Sequence, residues 1–307
     1  MKTQFPMDEL RTAFGHMLQE NVSMTNYTTA RVGGPVPALI SIHDLDELVK
    51  AAQTLWDLDV PFSVLGSGSN LLVSDKGLDR VILHNRAHNL KINTKSDSPS
   101  VIAESGAILG TVARQSALRG LSGMEWGAPV PGTVGGAVYG NAGAHGSDMA
   151  NSLEMATILH AEQGIQDWPV EKLAYQYRSS ILKREKMPVV ILSAIFKVVH
   201  SSREEAWEKI SAFQAYRKNT QPPGASMGSM FKNPPDESAG RLIEAAGLKG
   251  KRVGRAIISP THANFIVNLE DATAQDIYTL MNLARETVKA KFGITLEPEI
   301  ELIGEFD

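Results

Sequence analysis

Cysteine is absent from all 307 residues. That single absence excludes disulfides, thiol nucleophiles, zinc–thiolate centres and cysteine-ligated iron–sulfur clusters. Histidine is present eight times but never in an H-E-x-x-H or H-x-x-E-H spacing, so a catalytic metal is not supported. An excess of basic charge is also missing. Thirty Lys and Arg stand against 34 Asp and Glu, a net charge of −4, which gives no global field for nucleic acid. The longest apolar stretch, Val189 to Val199, is too short to span a bilayer and is broken by Ser193 and Lys197. At the N-terminus, Asp8 and Glu9 precede any apolar run. The segment therefore reads as a short amphipathic helix rather than a secretory leader, and a cytoplasmic location is expected.

Apolar residues make up 43% of the chain and charged residues 21%, enough to build a substantial core. The length predicts two domains or three. Leu45, Leu48, Val49, Ala52, Leu55 and Trp56 recur at helical spacing behind Asp44, a helix N-cap residue. Pro61 to Leu65, RVILHN, LKINTK, VIAESG and Val189 to Val199 read as strands, and Ile108 to Leu118 as a helix. Composition shifts near residue 200. Beyond it the pattern predicts helices over Arg203–Lys218, Ala239–Ala246 and Ala274–Lys291, with strands over Arg252–Ile258, Asn264–Asn268 and Ile294–Ile303. Strands come in runs rather than in strict alternation with helices, so the fold class is α+β.

Several short segments carry chemical potential. Gly66-Ser67-Gly68-Ser69-Asn70 follows a strand signal and is either a tight turn or a cradle of backbone N–H groups for phosphate. It is not a dinucleotide fingerprint, because Leu71 occupies the third glycine position. The stretch Leu121 to Gly146 holds eight of the 26 glycines. Glycine at that density costs backbone entropy, which a loop wrapped on a cofactor explains better than a structural loop does. Tyr177-Arg178 offers a guanidinium fork for a carboxylate. Gly224-Ala225-Ser226-Met227-Gly228 matches G-x-S-x-G, but Pro222 and Pro223 stand where a buried strand should be, so the match is a coincidence. Arg241, Lys249, Lys251, Arg252 and Arg255 against Glu244 give a local +4, either a solvated face or a diphosphate pocket.

Taken in order along the chain, YTTARVGGP (27–35), VLGSGSNLLVSD (64–75), PGTVGGAVYGNAGA (131–144), YRSS (177–180), GSMFKNP (228–234), GRLIEAAGLKG (240–250), HANFIVN (262–268) and LEPEIELIG (296–304) resemble the MurB family, the UDP-N-acetylenolpyruvoylglucosamine reductases of peptidoglycan synthesis. The resemblance runs from about residue 20 to the C-terminus. It implies a two-part FAD-binding region of the vanillyl-alcohol-oxidase/PCMH type over residues 1–74 and 75–200. A substrate-binding α+β domain over 201–307 would follow, its last strand returning toward the flavin. The implied cofactors are FAD and NADPH, the latter as hydride donor. NADPH and UDP-N-acetylglucosamine enolpyruvate would occupy one cleft in turn, with no nucleic acid or membrane partner, in a monomer or weak oligomer.

By the same resemblance the catalytic residues fall on Arg178, Ser229 and Glu299. Flavin contacts fall on Leu65, Gly66, Ser67, Gly68, Ser69, Asn70, Leu71, Pro131, Gly132, Thr133, Gly135, Gly136, Asn141, Ala142 and Arg178, and substrate contacts on Tyr177, Arg217, Asn233 and Lys249. In that reaction, hydride delivered to C3 of the enolpyruvyl group leaves charge at C2, shared with the carboxylate. Arg178 would bind that carboxylate, a protonated Glu299 would donate a hydrogen bond to it, and Ser229 would protonate C2. The chain departs from the family at Ser67, where glycine is usual, at Arg31, where lysine is common, and at the entry Pro129-Val130-Pro131. It lacks the tyrosine-bearing insertion of one subgroup and resembles the shorter one. Two alternatives are another flavoenzyme of the same superfamily and a non-catalytic nucleotide-sugar-binding protein.

Overall fold

The computed structural model describes residues 5–307. The N-terminal helix runs over Met7–Phe14 and buries Leu10 and Phe14. A four-stranded sheet follows, in the spatial order Leu18–Ser23, Pro35–Ile42, Val81–Asn85, Phe62–Leu65; the first pair is antiparallel and the other two are parallel. Helix Leu45–Asp57 covers it. The Asp44 carboxylate accepts the Glu47 N–H, and Leu48, Ala51, Ala52 and Leu55 pack against Ile40 and Leu83.

The central part is a five-stranded antiparallel sheet in the order Gly164–Pro169, Leu153–His160, Val189–Lys197, Ser100–Glu104, Leu90–Asn93. Helix Leu109–Ala117 and the short helix Val134–Gly140 share its core. The glycine-dense stretch was expected to be a loop throughout. In the structure its middle is that short helix, ended by Asn141 in the left-handed conformation (φ 48°).

The C-terminal part sets helices Ala239–Ala245 and Ala274–Phe292 against a small antiparallel sheet, Arg252–Val253, Ala256–Ile258 and Ile266–Asn268. A capping box, Thr273 with Asp276, opens the long helix, and Gly293 at φ 73° closes it. The predicted strand Ile294–Ile303 is shorter than expected. Only Glu301–Ile303 pairs regularly, in parallel with Leu71–Val73 of the N-terminal part. The residues before it include Pro298, which has no N–H for a ladder, and they bond instead to the segment around Phe231.

Core packing divides the chain differently from boundaries at 74 and 200. Val81–Asn85 lies inside the first sheet. Helix Arg203–Thr220 buries Ala206 and Ile210 in the central core, while the C-terminal core also takes in Ala30, Val32 and Leu72. The compositional shift near 200 marks the end of strand-rich sequence, which is a different thing from a change of core.

Candidate active site

Two glycine-bearing loops meet at the junction of the first and second sheets. An ideal Cβ on Gly66 would lie 2.3 Å from Thr133 Oγ1, so the approach of the 66–70 turn to the 131–133 turn requires glycine there. On the opposite side of the contact, Gly132 at φ 122° brings a Cβ position within 3.1 Å of Ser69 Oγ. The turn is anchored from below by the Thr29 N–H, which donates to the Gly68 carbonyl at 3.1 Å. Leu65 is buried at the end of its strand, and Leu71 opens the next. Pro131 and Gly136 face solvent on this rim, whereas Gly135 backs against Ser105.

Ser67 Oγ is fully buried in this turn and has no hydrogen-bond partner; among the described residues only Gln221 Oε1 shares that condition. A buried polar atom without a partner costs about 1–3 kcal/mol. An orphan hydroxyl within closely approaching backbone suits an oxygen-rich ligand, so these residues fit the pyrophosphate-bearing FAD.

Asn141 was expected to offer its amide to a cofactor. Its amide is engaged elsewhere: Nδ2 donates to the Gln176 carbonyl at 3.0 Å, and Oδ1 accepts the Ala150 N–H at 3.0 Å. The physical reason is its place at the helix end, where a left-handed residue turns the side chain back into the protein. Ala142 closes the same turn through its N–H to the Ala137 carbonyl.

Gln176 and Ser179 exchange backbone hydrogen bonds of 2.9 and 3.0 Å, so Tyr177 and Arg178 form the tip of a tight hairpin. Arg178 has φ 56°, a left-handed conformation that costs a non-glycine residue about 1 kcal/mol or more. Its guanidinium is held on two sides. Nε donates to Glu299 Oε1 at 2.7 Å and Nη2 to the Gly143 carbonyl at 2.8 Å. Both members of this ion pair are largely shielded, with side-chain exposures of 24% and 18%. Glu299, expected as a protonated donor, is here an acceptor, because the guanidinium facing it has only hydrogens to offer. Tyr177 stays 53% exposed, its ring 5.2 Å from Arg178 Cζ.

The Glu299 backbone N–H donates to the Met230 carbonyl at 2.8 Å, and the Lys232 N–H donates to the Glu297 carbonyl at 2.9 Å. Half-buried Ser229, next to Met230, is thereby fixed beside the segment that carries Glu299. Asn70 joins them to the flavin-side turn: its Nδ2 donates to the Glu299 carbonyl at 3.3 Å, and its own carbonyl accepts the Glu301 N–H at 2.9 Å. Arg178 and Glu299, distant in sequence, therefore meet beside the Gly66–Asn70 turn, and Ser229 lies one residue from the Met230 carbonyl that bonds Glu299. Lys183, one turn beyond Arg178, pairs with Glu301 at 3.1 Å and runs a second tie alongside the first.

Arg217 lies near the end of helix Arg203–Thr220 and donates to the Pro129 carbonyl at 2.6 Å, across from the glycine-rich entry. Burial pulls it below the ordinary guanidinium value. His145 stacks on Phe213 of the same helix, 4.2 Å between ring centroids. Burial, and then the Arg217 charge, hold His145 below the usual histidine value. Asn233 Oδ1 accepts the Ala239 N–H at 3.1 Å and steadies the start of helix Ala239–Ala245.

The +4 segment is mostly spent on neighbours. Arg241 binds Glu237, Lys249 binds Glu244 at 2.8 Å, and Arg255 donates to the carbonyls of Leu269 and Glu270. Of its members, Lys249 lies near His262, where burial first and the Lys249 charge second lower the histidine. Ser226 has no strand leading into it.

Residues 36–165 match the model of an FAD binding domain, and residues 219–303 match that of the UDP-N-acetylenolpyruvoylglucosamine reductase C-terminal domain. The UDP-N-acetylenolpyruvoylglucosamine reductase of Chloroflexus aggregans is 42% identical over 93% of this chain and 97% of its own length. That of Bacillus pumilus is 39% identical over 97% and 98%. The crystal structure of MurB from Thermus caldophilus superposes with a TM-score of 0.78 at 35% identity, covering 92% of this chain and 98% of that one. Identity and coverage at this level show the family: the chain belongs to the UDP-N-acetylenolpyruvoylglucosamine reductase (MurB) family of FAD-dependent oxidoreductases.

Proposed function

We propose that Arg178, Ser229 and Glu299 carry the reduction of UDP-N-acetylglucosamine enolpyruvate to UDP-N-acetylmuramate, with NADPH and the nucleotide sugar entering one cleft in turn. The single observation that supports this most is the 2.7 Å Arg178–Glu299 ion pair on the same backbone ladder that holds Ser229, next to the flavin-side turn. FAD, held by the Gly66–Asn70 turn and the 131–136 loop, would supply the two-electron hydride chemistry between NADPH and C3 of the enolpyruvyl group.

The chain's own residues deal with the charge and the proton. Negative charge develops on C2 and spreads into the adjoining carboxylate, where a preorganised cation is most effective. Arg178 meets that need with a permanently charged planar fork. Its hairpin conformation and its two bonds hold the fork before substrate arrives. An incoming carboxylate competes with Glu299 for the guanidinium, so Glu299 is placed to report on, and respond to, substrate binding. Ser229 gives its hydroxyl proton to C2, a strongly basic carbon once charge is localised there.

Around this centre, the Gly66–Asn70 turn with the 131–136 loop holds the cofactor. Tyr177, Arg217, Asn233 and Lys249 border the region where the nucleotide sugar's diphosphate and uridine would lie. A cytoplasmic site of action fits these substrates, and among the described residues no helix is long and apolar enough to cross a membrane.

The test separates the half-reactions. In Ser229→Ala, anaerobic bleaching of the flavin by NADPH continues, while recovery of absorbance on adding the enolpyruvyl sugar slows by about 10²–10⁴. Equal rates of recovery in variant and parent would remove Ser229 from this role.

A further inference from the structure

The serine-bearing segment is gripped by a residue that the motif gives no reason to notice. Asn264 is 2% exposed and lies in a loop between the small C-terminal sheet's last two strands. Its side chain accepts the Phe231 N–H on Oδ1 at 3.0 Å and donates from Nδ2 to the Phe231 carbonyl at 2.8 Å. Its backbone carbonyl accepts the Met230 N–H at 2.9 Å. A buried side-chain amide thus imitates a strand neighbour along one edge of Met230–Phe231. On the other edge, the Met230 carbonyl accepts the Glu299 N–H and the Lys232 N–H donates to the Glu297 carbonyl, tying it to the 297–299 segment. Ser229, one residue upstream, is the first position outside this two-sided clamp.

The clamp is itself held rigidly. The Asn264 N–H donates to His262 Nδ1 at 3.2 Å, Ser259 Oγ accepts the N–H groups of Thr261 and His262, and the His262 ring packs edge-on against Phe265 at 4.9 Å. Every polar group of Asn264 is engaged, so the amide has one orientation and Phe231 one position.

The geometry points to Asn264 as a positioning residue that sets the Ser229 hydroxyl relative to Glu299. The inference rests on the reading of Ser229 as proton donor. Asparagine is the required side chain here because the Phe231 peptide presents one donor and one acceptor. An apolar residue leaves both buried and unpaired, and an aspartate turns one bond into repulsion between oxygens. Proton transfer is steeply sensitive to donor placement, and a shift of about 1 Å costs on the order of 10²-fold.

The experiment uses holoenzyme and four forms: parent, Asn264→Ala, Ser229→Ala and the double variant, each checked for flavin content. Stopped-flow traces give both half-reactions. In N264A, flavin bleaching by NADPH stays within about twofold of the parent, while reoxidation by the enolpyruvyl sugar slows by about 10–100-fold, seen in kcat rather than KM. In the double variant N264A adds nothing to S229A, since a positioning residue has no effect once its target is gone. Equal losses in both half-reactions, or an undiminished N264A effect in the S229A background, would overturn the inference. If N264A does not fold, Asn264→Ser, which keeps a small neutral polar group beside the Phe231 peptide, takes its place with the same expected pattern. An S229A form with normal reoxidation would instead refute the underlying reading, so the two failures are distinguishable.

Discussion

The two sides of the candidate site are built on opposite principles. On the flavin side, the turns at 66–70 and 131–133 come together because side chains are missing: Gly66 leaves room for Thr133, and Gly132 for Ser69. On the other side, the segments at 178, 229–232, 264 and 297–299 come together because hydrogen bonds are made, the longest in sequence between Arg178 and Glu299, 121 positions apart. Crowding is the vulnerability of the first side, and loss of one partner the vulnerability of the second. The contrast predicts that the glycine-turn side tolerates little added bulk whereas the bonded side depends on a few particular polar atoms.

The largest effect expected from that contrast is at Gly66. In Gly66→Ala the new methyl group must displace Thr133, and overpacking of this kind costs about 1–3 kcal/mol, with flavin lost on gel filtration. Thr133→Ala in the same background should restore part of both. Gly228→Ala is the control, since its Cβ would meet nothing within 4 Å and only the φ of 81° resists it. It should lose about 1–2 kcal/mol in thermal melts and keep its flavin. If both alanines release flavin equally, the flavin side is not held by close approach.

A smaller effect is expected on the bonded side. Lys183→Met removes the partner of Glu301, and both groups are more than two-thirds shielded. A loss of about 1 kcal/mol, shrinking in high salt, is expected from melts at two ionic strengths. A loss several times larger would make that pair a main support rather than an auxiliary tie.

The smallest effect blurs the division, because the root of the glycine-rich stretch is held by charge. Burial pushes the Glu125 carboxyl up, but the Ser122 hydroxyl at 2.5 Å, the Gly123 N–H at 2.7 Å and nearby Lys209 outweigh it, and the group lies below the usual carboxylate range. A depressed folded value means the stabilisation is complete above the unfolded value of about 4.3 and is lost as pH falls through the folded one. Glu125→Gln should therefore flatten the acid limb of a Tm-against-pH profile and leave flavin retention at neutral pH unchanged. An unaltered acid limb would count against this assignment.

How much of this could be read in advance differs between the two sides for the same physical reason. Glycine marks close approach, so Gly66, Gly132 and the dense stretch after Leu121 were visible as places where segments could come together, although which glycine meets which side chain was not. Arg178 and Glu299 were legible through the family resemblance, but their direct ion pair was not, since a motif names residues without saying which of their atoms meet. Asn141 was misread because an amide beside glycines looks available, whereas its left-handed backbone turns it inward. The strand expected from Ile294 was too long because apolar alternation continues through Pro298, where the ladder cannot. Asn264 was invisible: a buried asparagine in a strand-like run carries no sign of the peptide it serves.

The parallel pairing of Glu301–Ile303 with Leu71–Val73, and the Asn70 bond to Glu299 across 229 positions, have a consequence for biosynthesis. A ribosome delivers the glycine turn long before the acid that completes its neighbourhood. Contacts spanning such a distance close late, after their loops have been ordered. Until Glu299 and the Glu301–Ile303 strand have been made, the nascent glycine turn therefore stands with one of its walls missing.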